Sequence, residues 1–220
     1  MSPRHALPCV VLLAALAGCA YTGEPGGPIE RSLTWFSYVG GDDIRSRCRP
    51  GGASEFRFVY NGSYERQIRA YDLVATRAGA ELLSRARGRA GQIGKLSVND
   101  LQGPWDMARD TQELGDNEAG RIVLAYRGDI ERAPSSAGAH LDSKDFFWTV
   151  AGCSHGRFSI HAFAWPDTDL DRLQFARLLA QYDRTGVPWE QPRRIEGGDD
   201  GARFWLDINA RNDGLKQGPF

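Results

Sequence analysis

Two stretches that must fold back on themselves constrain this chain more than any other feature. Residues 55–60 and 63–73 carry aromatic and apolar side chains on both sides of Asn61-Gly62, a dipeptide that enters the positive-φ conformations of a type I′ hairpin turn at little cost. Along the first arm Phe56, Phe58 and Tyr60 alternate with Arg57, so the aromatics are expected to face inward and Arg57 to point away. Residues 146–151 and 157–165 repeat the pattern around Gly152-Cys153-Ser154-His155-Gly156, with strongly aromatic arms. Two such hairpins require an antiparallel sheet with at least one buried face.

The remaining segments supply partners for that sheet. Residues 32–39 predict a strand buried on both sides, with Leu33, Trp35, Ser37 and Val39 on one face and Thr34, Phe36 and Tyr38 on the other. Gly40-Gly41 ends it, and Asp42 or Asp43 is placed to cap a short helix through Arg47 that Pro50-Gly51 terminates, leaving Cys48 just past its end. Residues 80–98 read as extended, because Gly88, Gly91 and Gly94 oppose a long helix. Pro104-Trp105 opens a short helix over 106–114, and a loop over 115–120 leads to a strand over 121–127 built on Ile122, Leu124 and Tyr126. Residues 131–142 are small and polar and read as a surface loop. The best helical periodicity lies over 169–182, where Leu170, Leu173, Ala176, Leu179 and Ala180 form an apolar stripe that Asp167 or Thr168 can cap. Residues 202–208 return as a strand with Phe204, Leu206 and Ile208 on one side. The expected fold is α+β, a mainly antiparallel sheet of about seven strands with one main helix packed on it.

Location follows from the N-terminus. A membrane-spanning helix needs about 20 apolar residues, and the run over 7–17 is roughly half that and interrupted by Pro8. Leu16-Ala17-Gly18-Cys19, closing an apolar run preceded by Arg4, resembles the lipobox of bacterial lipoprotein signal peptides. The resemblance implies cleavage before Cys19, a diacylglycerol on its thiol and a fatty acyl group such as palmitate on its new amino group. It divides the chain into a signal peptide over 1–18, a lipidated flexible tether over 19–30 and a single globular periplasmic domain over 31–220. Ala20, where an Asp would favour inner-membrane retention, implies the outer membrane. A plain secretory signal is the competing reading, since Ala15, Ala17 and Gly18 also suit its cleavage site.

Of the four cysteines, Cys9 leaves with the signal and Cys19 takes the lipid, so Cys48 and Cys153 remain as a pair in an oxidising compartment. A disulfide between them is the simplest account, stabilising by up to about 4 to 5 kcal/mol for a loop of roughly 100 residues. A redox or metal role would favour the short C-x-x-C spacing, which the pair lacks.

Catalytic and metal motifs fail in context. Gly152-Cys153-Ser154-His155-Gly156 matches G-x-S-x-G, which would make Ser154 a nucleophile with His155 and His161 as nearby bases. That motif needs a helix after the serine, whereas residues 157–165 read as a strand, and no histidine follows His161. His140, His155 and His161 lack the spacing that preorganises a metal site. Asp207-Ile208-Asn209-Ala210-Arg211 opens like a calcium loop, but Arg211 stands at a ligand position, Asn212 replaces the turn glycine and Gly218 replaces the bidentate Glu. No catalytic residue, metal or cofactor is therefore expected.

With 27 basic against 28 acidic residues the chain is nearly neutral, which argues against a nucleic-acid partner. All but three of the basic residues are arginine, the exceptions being Lys95, Lys144 and Lys216. Arg85, Arg87 and Arg89 alternate and would share one strand face, a candidate contact for phosphate or carboxylate. The six tryptophans suit core packing, and some could form a sugar-stacking platform. The expected function is that of a membrane-anchored envelope lipoprotein acting as a non-catalytic binding or accessory factor. Its partners would be the membrane, through the lipid, and an envelope protein or anionic glycan. The alternatives are an envelope hydrolase with dispersed residues, Ser154, His155 and His161 first among them, and an anionic-glycan module built on the arginine stripe.

Overall fold

Both aromatic hairpins form, and they lie side by side in one sheet. The structure is a computed structural model describing residues 35–88, 107–195 and 204–217. After a helical stretch over 35–40, the first half contains α1 (Asp42–Arg47), β1 (Glu55–Gly62), β2 (Gln67–Thr76), β3 (Gly79–Gly88) and β4 (Ala108–Leu114). The second half contains α2 (Asp116–Arg132), β5 (His140–Asp142), β6 (Phe146–Ser154), β7 (Arg157–Ala164), a single 3₁₀ turn (Leu170–Arg172), α3 (Gln174–Tyr182), β8 (Trp205–Ile208) and β9 (Leu215–Gln217). Six strands pair in the order β4-β3-β2-β1-β6-β7, every pair antiparallel, and β5-β8-β9 make a small second sheet. The fold is α+β and mostly antiparallel sheet, as the hairpins require.

Alternation along the strands sends alternate side chains to opposite faces, and both faces are covered. On one, Phe56, Phe58, Tyr71, Leu82, Trp148 and Val150 pack beneath α2 and α3 through Ile122, Tyr126, Leu173, Phe175 and Leu179. On the other, Val59, Ile68, Ala70, Phe147, Ala151 and Ile160 meet Phe36, Tyr38 and Val39 of the N-terminal helical stretch and Leu141, Leu206 and Ile208 of the small sheet.

That second face explains Arg57. It points away from the aromatics as alternation dictates, yet it is buried, donating to Asp43 Oδ1 at 2.8 Å, Asp72 Oδ1 at 2.6 Å and the Tyr38 carbonyl at 2.9 Å. Burial disfavours its charge, but the neighbouring carboxylates more than offset this and raise its pKa further. These bonds pin residues 38–43 to the sheet. The disulfide between Cys48, at the C-terminal cap of α1, and Cys153 of β6 pins the same unit, with the Cα atoms 5.6 Å apart.

Several expected elements are different in the structure. Residues 35–40 are helical rather than a strand, because Trp35, Phe36, Tyr38 and Val39 can face a core in either conformation and packing decides. Residues 108–114 form strand β4, not a helix: their polar side chains suit an edge, and β3 offers unpaired backbone groups there. Residues 121–127 lie within helix α2, not in a strand. Ile122 and Tyr126 satisfy a period of 2 and a turn of helix equally well, and Leu124, the apolar residue that separates the readings, is 68% exposed. The expected sheet of about seven strands is a six-stranded sheet with a separate three-stranded one, and among the described residues α2 joins α3 on a face of the larger sheet.

The first hairpin turns later than Asn61-Gly62. Both residues stay in β1, where the Asn61 amide donates to the Ser143 and Asp145 carbonyls, and the chain reverses over 63–66 with Ser63 at φ 56°. The second hairpin has a two-residue turn, His155 at φ 53° and Gly156 at φ 73°, consistent with type I′. The helix expected over 169–182 is split into the 3₁₀ turn and α3, and its cap is neither Asp167 nor Thr168 but Asp169, which accepts from the Asp171 N–H. The loop expected over 131–142 begins only after α2 and ends in β5.

Candidate functional site: an aromatic pocket under a strap

After α3 the chain crosses back over the sheet as an irregular strap, residues 183–195, containing Pro188 and Pro192. Proline offers no N–H, and a strap outside the ladders must find partners among side chains. Strands β1 and β2 provide them. The Gln67 amide donates to the Pro188 carbonyl at 2.6 Å and accepts from the Glu190 N–H at 3.0 Å. The Tyr60 hydroxyl donates to the Glu190 carbonyl at 2.7 Å. Arg69, fully buried, donates to the Val187 carbonyl, to the Asp183 carboxylate and, at 3.0 Å, to Gln67 Oε1. Tyr71 donates to the same carboxylate at 2.5 Å. Burial works against the Asp183 charge, but the Thr185 and Tyr71 hydroxyls and the Arg69 guanidinium outweigh it and hold the carboxyl below its usual range.

The strap brings Trp189 onto the sheet. Its ring lies 5.3 Å from that of Tyr60 and 5.9 Å from that of Trp148, centre to centre, while Arg69 sits over it at 4.1 Å. Between this trio and α3 opens a cavity of about 190 Å³, bordered by Asp171, Arg177 and Glu190. It is smaller than the roughly 300 Å³ at which drug-sized sites begin, and so suits one ring. Burial, reinforced by Asp171 and Glu190, raises the Tyr60 pKa well above that of a free phenol, so its hydroxyl remains a donor. Tyr60 and Trp148 are buried, 2% and 1% exposed, so the half-buried Trp189 supplies the ring face at the opening, and Asp171, Arg177 and Glu190 supply charged groups of both signs at its edge.

The residues singled out from sequence are scattered. Cys19 and Arg89 lie outside the described residues, as does Trp105. Arg85 does not present a solvent-facing anion contact, because it is committed to the Asp72 carboxylate and, at 2.9 Å, to the Tyr38 hydroxyl; Arg87 is half-buried on the same face. Ser154 accepts from Arg127 at 2.9 Å and His155 occupies the hairpin turn, so the strand beginning at Arg157 rules out a nucleophile elbow. His161, opposite Val150 in the ladder, meets a different hydroxyl, that of Ser136. His140 contacts Asp207 at 2.6 Å, and Asn209 accepts from the Arg211 and Asp213 N–H groups in an Asx turn. Among the described residues no three His, Cys, Asp or Glu side chains group as a metal site.

The sequence left open which tryptophans were core and which could stack on a sugar, because Tyr60 and Trp148 read as core strand positions and Trp189 as part of an irregular exit. The available signal was Pro188-Trp189 with Pro192, a tryptophan in a segment with no helix or strand to bury it. Compared with protein-family models, with curated proteins and with solved structures, the chain matches none.

Proposed function

We propose that this chain is a membrane-anchored lipoprotein of the bacterial envelope whose domain binds, without transforming it in the aromatic pocket, a single sugar unit of an envelope glycan. The observation that carries the binding reading is the half-buried Trp189 ring, backed by the buried Tyr60 and Trp148, at an open cavity edged by Asp171, Arg177 and Glu190. Stacking of this kind is worth about 0.5–1.5 kcal/mol per ring pair beyond area burial, and the fixed strap spares the ordering of a loop on binding. The anchor rests on Leu16-Ala17-Gly18-Cys19, and the outer membrane on Ala20. Relative to the arginine stripe, the glycan contact moves to the opposite face of the sheet, where the cavity opens beside Trp189.

Titration of the protein with N-acetylglucosamine oligomers and with lipopolysaccharide core oligosaccharide, followed by tryptophan fluorescence, tests the binding reading. A saturable change that Trp189→Ala weakens at least tenfold supports it; no response to either saccharide, or an unchanged response in the variant, overturns it. Labelled palmitate should enter the wild-type chain and not Cys19→Ala, and incorporation into both would refute the lipobox.

A further inference from the structure

We propose that Ser136, His161 and Asn212 form a second site, a serine-dependent esterase centre for short acyl esters, at the β7 edge of the large sheet. The three residues come from separate elements: the loop after α2, strand β7, and the turn between β8 and β9. Ser136 Oγ lies 3.4 Å from His161 Nδ1 and 3.3 Å from Asn212 Oδ1. That is the loose nucleophile–base contact that tightens when substrate arrives.

The cluster is held from each side. The Ile160 N–H donates to the Asn212 carbonyl at 2.7 Å, the Ala139 N–H to the Ser136 carbonyl at 3.0 Å, and the Gly138 N–H to the Ile208 carbonyl at 3.0 Å. Asn212 is at φ 53°, in the left-handed region, which places its side chain toward Ser136. The Tyr126 ring meets the imidazole edge-on at 6.2 Å. Burial lowers the His161 pKa, so at neutral pH the ring is uncharged and can accept a proton.

A cavity of about 250 Å³ adjoins the cluster, with Ile130, Pro134 and Phe163 in its walls. Apolar walls beside a hydroxyl and a neutral imidazole fit an acyl chain with its carbonyl at the polar end. In the reaction Ser136 Oγ attacks the ester carbonyl carbon while its proton passes to His161. The bond from that carbon to the alkoxy oxygen then breaks, and the alcohol leaves with the proton from His161. Water, deprotonated by the same imidazole, attacks the acyl-serine, releasing the carboxylic acid and restoring Ser136. In the resting site the Ser136 hydroxyl donates to Asn212 Oδ1, which holds Oγ beside the imidazole.

The site is independent of the aromatic pocket, so either can fail alone. The test is to treat the purified full chain with a fluorophosphonate probe, map the adduct by mass spectrometry and follow p-nitrophenyl butyrate hydrolysis. An adduct on Ser136, lost in Ser136→Ala, with labelling at least about 100-fold slower in His161→Gln and unchanged in Ser154→Ala, is expected. An adduct on another residue, none on the wild type, or wild-type hydrolysis by Ser136→Ala overturns the proposal. The wild-type mapping decides the question even if Ser136→Ala fails to fold.

Discussion

The guanidinium of Arg69 lies 4.1 Å from the centre of the Trp189 ring, 120 residues further along the chain, and ties the strap to the sheet. Arg69→Met should release the strap and leave the Asp183 carboxylate buried without its cation. Removing one member of a buried ion pair is expected to destabilise by about 3–5 kcal/mol. Urea unfolding should show the loss, and saccharide titration should show weakened binding in the same variant.

Asp72 and Asp183 should make the protein acid-sensitive. Burial opposes the Asp72 charge, but Arg57 and Arg85 outweigh it and hold the carboxyl below the ordinary value; Asp183 is depressed as well. A carboxylate with a lowered folded-state pKa contributes its full stability above the unfolded value, near pH 4, and loses it as pH falls through the folded value. The urea midpoint should therefore drop below about pH 4, and Asp72→Asn, less stable at neutral pH, should show a shallower drop.

Replacing both Cys48 and Cys153 with Ala opens a link across a sequence separation of 105 residues. In the chain-entropy model this costs about 4 to 5 kcal/mol. Equal unfolding midpoints for the wild type with and without reductant would contradict it.

Gly41 holds φ 66° where the helical stretch meets the sheet, and a Cβ there would stand 2.6 Å from Ala151 Cβ. Gly41→Ala is expected to destabilise by about 1–3 kcal/mol through strain and overpacking. Thermal unfolding measures it, and a similar substitution at Gly51, whose added Cβ meets nothing within 4 Å, serves as the backbone-strain comparison.

Asp129 of α2, itself buried, accepts from the Phe175 N–H in the first turn of α3 at 3.0 Å, acting as a cap supplied by another helix. Asp129→Ala should destabilise by about 1–2 kcal/mol. Faster amide exchange confined to the first turn of α3 would locate the effect.

The hairpins were legible because their signal is local. Alternating Phe56, Phe58 and Tyr60 express a period of 2 within a few residues, whereas the turns fell elsewhere, over 63–66 instead of Asn61-Gly62 and at His155-Gly156 alone instead of over 152–156. The same locality excluded the nucleophile elbow at Ser154. Where two periods fit the same residues, as at Ile122 and Tyr126, the sequence left strand and helix degenerate, and the neighbouring β3 edge and the α3 surface chose between them.

The candidate sites were not legible, because each is assembled across the chain. Tyr60, Trp148 and Trp189 are separated by 41 residues or more, and Ser136, His161 and Asn212 by 25 or more. Nothing in the spacing of Arg69 and Trp189 marks one as the support of the other. By itself the sequence determined the two antiparallel hairpins, the Cys48–Cys153 pairing and the shared face of Phe56, Phe58 and Tyr60, since these follow from alternation, turn residues and cysteine count. Only the tertiary structure decided that Arg57 and Arg85 serve buried carboxylates, that residues 108–114 become an edge strand, and which aromatics and hydroxyls border cavities. These outcomes depend on desolvation and on contacts between distant segments, which exist only once both faces of the sheet are covered.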